Sequence, residues 1–255
     1  MNLERNVPTA GLEQSKVRYE RAADTIAELA EEITSIPIPE EVLSKWKTLL
    51  SAIRIIDDRI DHTADDATRL ALTEGIRTYL KSGEVDFTND TELATAVSNV
   101  YALTRSMNED QQAFFNTLIS SILRTTENIR TEETAAQMAR LTMLEGQLTA
   151  KLFLPFLPSE FVQSEQYPKL VKAFTRLGRA ANAFDTFVDL KADYAGQQTR
   201  VLPTLRNRLA FLEATVLSGS SLLSDQKLSR VLLTLATRGV YGTIADSPKD
   251  TDSNP

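Results

Sequence analysis

Lys169-Leu-Val-Lys-Ala-Phe-Thr-Arg-Leu-Gly-Arg-Ala-Ala-Asn-Ala-Phe-Asp-Thr-Phe-Val-Asp-Leu-Lys-Ala-Asp-Tyr194 is the stretch that decides the fold. Leu170, Phe174, Leu177, Ala181 and Phe184 recur at three- and four-residue steps, the period of one face of an α-helix. Asp185, Asp189 and Asp193 then follow at four-residue steps, so their carboxylates stack on one side of the same helix. At about 100° per residue that side flanks the apolar stripe and does not oppose it.

The same period runs through almost the whole chain, glycine is scarce, and no strand pattern stands out, so the expected fold is all-α. A first helix is expected over about residues 12–33, ended by Pro37 and Pro39. A second, from residue 40 to beyond residue 61, buries Val42, Trp46, Leu49, Ile53, Ile56 and Ile60. Further helices are expected over about 66–81, up to about 107, up to about 130, 132–153, 169–194, 203–217 and 224–245. Asn108 and Gln111 have the spacing of a capping box. No internal repeat and no Pro-, Gly- or Ser-rich linker divides the chain, which predicts one bundle-like domain over residues 1–246 and a polar, frayed tail over 247–255.

The second helix also ends in acids, Asp57-Asp58-Arg59-Ile60-Asp61, with Asp57 and Asp61 on one face and Asp58 turned away from the stripe. Stacked like charges destabilise a helix by a few tenths of a kcal/mol per pair. Two such rows on separate helices, each beside an apolar surface, suggest that a cation binds between them, and carboxylates with room for water suit Mg²⁺ or Mn²⁺. Two such helices face to face would enclose an oily cavity with carboxylates around its mouth, a site for an apolar molecule with an anionic head.

Composition narrows the alternatives. A formal charge of −7 and a pI near 5.0 argue against nucleic-acid binding. The absence of cysteine excludes thiolate chemistry and fits a reducing, cytoplasmic setting, and no signal segment or spanning stretch is evident. A single histidine, His62, is too few for a zinc hydrolase or a Glu-x-x-His di-iron bundle, and no Gly-x-Ser-x-Gly elbow supports a serine triad. The run Leu152-Phe-Leu-Pro-Phe-Leu157 is apolar enough for peripheral membrane contact, although six residues more often form a buried connection. Trp46 is expected in the core, and Tyr101, Tyr167 and Tyr194 are expected to be packing residues unless one reaches the pocket.

At these residues the chain resembles the class I isoprenoid synthases, in particular their squalene/phytoene synthase branch. Arg54-Ile-Ile-Asp57-Asp58-Arg-Ile-Asp61 is similar to that branch's Arg-x-x-Asp-Asp-x-x-Asp motif. The helix from Arg176 to Tyr194 looks like its second, Leu-Gly-bearing acidic helix, and the third aspartate is closer to a bacterial family of large-terpene synthases. The resemblance implies an isoprenoid synthase-type bundle with a central apolar cavity. It also implies Mg²⁺ or Mn²⁺ held by Asp57, Asp61, Asp185, Asp189 and Asp193, with Asp57, Asp61, Asp189 and Asp193 essential to catalysis. Arg54 and Arg200 are implied partners of the substrate diphosphate, and Ile53, Leu144, Phe184 and Phe187 candidate cavity walls. The implied reaction is ionisation of an all-trans prenyl diphosphate with release of pyrophosphate, then cyclisation or coupling of the allylic cation. Val188 and Leu50 stand where coupling enzymes carry Arg and Tyr, which favours ionisation of one chain over coupling of two. Two other readings stay open: a helical protein that binds prenyl chains without turnover, and a structural bundle whose acids are surface charge.

Overall fold

A computed structural model describes residues 9–63, 65–84, 87 and 89–223, with side chains described between residues 21 and 220. The expected helix over about 224–245 and the tail over 247–255 lie outside the described residues. Within them the protein is a single helical bundle without strands.

The helices are α1 (Thr9–Thr34), α2 (Glu40–Asp61), α3 (Asp66–Ser82), α4 (Thr91–Arg105), α5 (Glu109–Thr131), α6 (Ala135–Lys151), a short α7 (Ser159–Val162), α8 (Tyr167–Ala195) and α9 (Leu205–Leu223). A 3₁₀ turn over Leu154–Phe156 links α6 to α7. Local chemistry sets the boundaries. Asn108 and Gln111 form the expected capping box at the start of α5. Asp65 and Asp90 cap α3 and α4 by accepting the amides of Thr68 and Leu93. Gly83 ends α3 in the left-handed conformation that glycine adopts without strain.

One core joins α1 to α5, the 3₁₀ turn and the first half of α8. Its anchor is Trp46, fully buried, whose indole donates to the Phe153 carbonyl at 3.1 Å and meets the Phe153 and Phe174 rings edge-on. Leu152, Phe153, Leu154, Phe156 and Leu157 are all buried, so the apolar run after α6 is a core connection. A second, smaller core gathers Met138, Ala139, Ala183, Leu190, Val201, Phe211 and Ala214 where α6, α8 and α9 meet.

The tightest junction is between α6 and α8. A Cβ built on Gly146 would fall 2.1 Å from the Gly178 carbonyl oxygen, and one on Gly178 would fall 2.1 Å from the Gly146 carbonyl oxygen. The two backbones are therefore in direct contact, with Ala150 and Asn182 the next groups in the crossing. Leu170 and Phe174 are buried as expected, but from this contact on the buried face of α8 shifts: Ala180, Ala183 and Leu190 are buried, whereas Ala181 is exposed and Leu177 and Phe184 are half-buried. Small residues sit where helices approach closely, and the larger Phe184 is left at the edge.

Gly146→Ala and Gly178→Ala should each lower stability by about 1–3 kcal/mol or more, the range for overpacking a filled site. Urea unfolding of both variants measures this, and a loss below about 0.5 kcal/mol in both would show that the helices separate freely.

Candidate functional site

Four helices bring polar side chains to one pocket of about 370 Å³. α2 contributes Asp57 and Asp61, α5 Thr126 and Arg130, α6 Thr142 and Glu145, and α8 Asn182, Asp185, Thr186, Asp189 and Asp193. All five aspartates expected at a metal site thus face the same space. So does a sixth carboxylate, Glu145.

The rest of the wall is apolar and comes from positions displaced along the same helices. Leu49, Leu50, Ile53 and Ile56 precede Asp57 on α2, and Ile119, Ile122 and Leu123 precede Thr126 on α5. Ile76 and Leu80 of α3, Val100 of α4 and Leu152 close it. From Asp57 back to Leu50 is about 10 Å of helix at 1.5 Å per residue, so the lining changes from charged to oily over two turns.

Asn182 lies beside Gly146 in the crossing, and its Nδ2 donates to Glu145 Oε2 at 2.9 Å and to the Thr142 carbonyl at 3.2 Å. The Thr126 hydroxyl donates to the other Glu145 oxygen. Arg130 donates to Asp61 and, among the described residues, is the one cation beside the six carboxylates of the pocket wall. Asp193 stands in the last turn of α8, which Gln198 closes by donating its amide to the Asp193 carbonyl at 2.8 Å.

Such crowding raises carboxyl pKa values. Asp57 is exposed and opens onto the pocket, yet the protein atoms packed around its carboxyl, with Glu145 and Asp61, raise its pKa well above the usual value. Burial also raises Asp61 and Glu145. Asp193 is pushed up to about 7, first by burial and then by Asp189, Asp185 and Asp61. The Arg130 guanidinium opposes the shift at all four. Asp61 ends α2 and Asp193 stands in the last turn of α8, where the helix dipole is negative and favours cations. Among the described residues no three His, Cys, Asp or Glu side chains converge closely enough to hold one ion unaided.

Two expectations meet a different geometry. Arg54 does not line the pocket: at i−4 it shares the outward face of Asp58, and its guanidinium is directed to Glu92 at 3.8 Å. On that face Arg59 ties Asp58 (2.9 Å), Asp90 (2.5 Å) and Glu92 (2.7 Å) together, so the side of α2 away from the pocket is an ion-pair network with the start of α4. Arg200 lies in a neighbouring concavity, 3.8 Å from Glu133. Of the four expected apolar walls only Ile53 lines the pocket. Leu144 is exposed, Phe184 leans on Phe187, and Phe187 stacks under Arg208. Tyr101 packs on Tyr79, while Tyr194 reaches the neighbouring concavity.

Glu145, Arg130, Asn182 and Thr126 were not expected at the site. Glu145 had a sequence signal: it is the lone carboxylate inside the apolar run Leu141-Thr-Met-Leu-Glu-Gly-Gln-Leu148. No protein-family model matches the chain, and no curated protein or solved structure matches it. No described helix is long and apolar enough to cross a membrane.

A carboxyl whose pKa is higher in the folded than in the unfolded chain takes up protons on folding. Its contribution is complete below the unfolded value near 4 and is lost as pH rises through the folded value, about 7 for Asp193. Metal-free protein should therefore melt at a lower temperature at pH 8 than at pH 5, and Asp193→Asn should flatten that slope. Thermal melts in chelator across this range check it; a melting temperature that rises with pH in both proteins would contradict the site's electrostatics.

Proposed function

We propose that the protein is a Mg²⁺-dependent enzyme of the class I isoprenoid synthase type. It would ionise an all-trans prenyl diphosphate, release pyrophosphate, and cyclise the allylic cation or couple it to a second chain. The observation that supports this best is the pocket's lining: acids from α2, α6 and α8 at one end and aliphatic side chains from α2 to α5 at the other. An apolar chain with an anionic head, joined to it through cations, is the ligand class that suits both ends.

The donor set fits the metal in kind. Mg²⁺ normally takes one or two carboxylates and completes its octahedron with water and phosphate oxygens. Two acid rows lining one pocket suit ions whose shells are completed by water and substrate oxygens. Asp57 and Asp61 on one side and Asp185, Asp189 and Asp193 on the other would hold them. When bound there, the metal would supply positive charge to a departing diphosphate, whose leaving takes the electron pair of the allylic C–O bond.

The chain's own residues do the rest. Leu49, Leu50, Ile53, Ile76 and Ile122 exclude water from the carbon skeleton and so protect a carbocation from capture. Asn182 and Thr126 fix Glu145 beside Asp57, keeping the acid end rigid. Of the two arginines expected to meet diphosphate, Arg200 adjoins the pocket through Thr199, whereas Arg54 is engaged by Glu92. A second reading, a prenyl-binding protein without turnover, draws support from Val188 and Leu50, which stand where coupling enzymes carry Arg and Tyr.

Pyrophosphate release from geranyl, farnesyl and geranylgeranyl diphosphates, with and without Mg²⁺, tests the proposal when combined with mass spectrometry of the hydrocarbon extract. Release should require metal and fall by more than about 100-fold in Asp57→Ala and in Asp189→Ala, beyond the usual effect of losing a metal's outer-shell partner. Equal release by both variants and the wild type would sink the enzyme reading, and chain binding without release would favour the second one. Leu50→Trp should shift preference towards the shorter chain by about 10-fold or more in relative kcat/KM, since a few methylenes of pocket are worth that much.

A further inference from the structure

α9 carries two apolar faces. Phe211, Ala214 and Ser218 are buried where it packs on α6 and α8. At about 100° per residue, Leu205, Leu209, Leu212 and Val216 fall within about 60° of one another on the opposite side. That side faces outward: Leu205 keeps 75% of its surface, Val216 57% and Leu209 49%, and Leu212 is half-buried. Leu202 and Leu217 extend the exposed area at either end. Single exposed leucines are ordinary on a protein surface, but a contiguous apolar row marks a place where something binds. The other large apolar side chains exposed among the described residues, Leu70, Phe114, Leu144, Val162 and Tyr194, are spread over five other helices. No residue of α9 lines the acid pocket or the concavity beside it, so the row is separate from the site described above.

Spacing and charge indicate what fits the row. Steps of four, three and four residues are those of a seam along which two helices interlock their side chains. Arg206 and Glu213 border the row on one flank, both exposed, and neither forms an ion pair among the described residues. On the other flank Arg208 is taken up by α8: it stacks on the Phe187 ring and donates from Nε to the Phe187 carbonyl at 3.1 Å. Consider two copies of α9 running antiparallel about a twofold axis that passes between Ala210 and Phe211. Leu205 then meets the partner's Val216, and Leu209 meets the partner's Leu212. Arg206 comes within a turn of the partner's Glu213, and by symmetry Glu213 within a turn of the partner's Arg206. The face is therefore complementary to itself in apolar and in charged groups, as an isologous interface requires.

We propose that the outer face of α9 is a homodimer interface, in which α9 packs antiparallel on α9 of a second copy of this chain. Leu205, Leu209, Leu212 and Val216 form its apolar seam, and Arg206 and Glu213 fix its direction through two reciprocal ion pairs. The interface stands whether or not the protein turns over a prenyl diphosphate.

Sedimentation velocity of the full chain over a range of concentrations tests the interface. The wild type should reach twice the 28.3 kDa monomer mass. Leu209→Glu should weaken dimerisation by about 30-fold or more, the effect of losing a central interface side chain. Arg206→Glu sets two like-charge pairs across the axis and should weaken it by about 10-fold or more. Combining Arg206→Glu with Glu213→Arg should bring the affinity back to within about 3-fold of the wild type, a recovery that a merely misfolded variant cannot give. A wild type that stays monomeric, undiminished dimerisation by Leu209→Glu, or a paired swap that recovers nothing would each overturn the proposal. Two of the monomeric outcomes name a different occupant. A monomer that sediments with anionic lipid vesicles assigns the face to a membrane surface, and a monomer whose Leu209→Glu variant melts at a lower temperature shows that another part of this chain covers it.

Discussion

The contact between the backbones of α6 and α8 at Gly146 and Gly178 governs the rest of the molecule. Neither position has room for a Cβ, so the helices lie as close as their main chains allow. The residues beside the contact are then forced together: Glu145 precedes Gly146, Asn182 follows Gly178 by one turn, and the two side chains bond at 2.9 Å. From there α8 carries Asp185, Asp189 and Asp193 along the pocket wall opposite Asp57 and Asp61. The same contact sends Ala180 and Ala183 into the core and leaves Ala181 in solvent.

Placing six carboxylates around one pocket works against stability. Burial and mutual repulsion raise the pKa values of Asp57, Asp61, Glu145 and Asp193, and a single arginine offsets part of the charge. The fold compensates elsewhere. Trp46 and its aromatic partners are fully packed, and the outer face of α2 is tied to α4 by the Arg59 network. A local rule broken within a sound bundle is what a functional site looks like in physical terms.

Much of this was legible in the sequence. The helix of Trp46 and Ile60 could be read because two prolines precede it and its apolar period is unbroken, and the start of α5 because Asn108 and Gln111 are a reciprocal cap. The acid rows could be read because each is periodic within one helix. Glu145, Arg130, Asn182 and Thr126 are not periodic; each joins the site only when separate helices pack. Arg54 is placed away from the pocket for a related reason. Its place in a motif suggested the pocket, but four residues before Asp58 it faces the outer network. For α8, three- and four-residue spacing put Ala181 and Phe184 on the apolar face, whereas close approach at Gly178 buries Ala180 and Ala183 instead.

Arg130 shows how closely the acid pocket is tied to the packing around it. Its guanidinium donates to Asp61 and lines both the pocket and the concavity beside it. The side chain keeps 7% of its surface, and its buried Nε finds no hydrogen-bond partner among the described residues. A buried charge must be paired, so the arginine needs the aspartate at the end of α2 as much as it offsets that aspartate's charge. Removing either one would leave the other uncompensated inside the bundle.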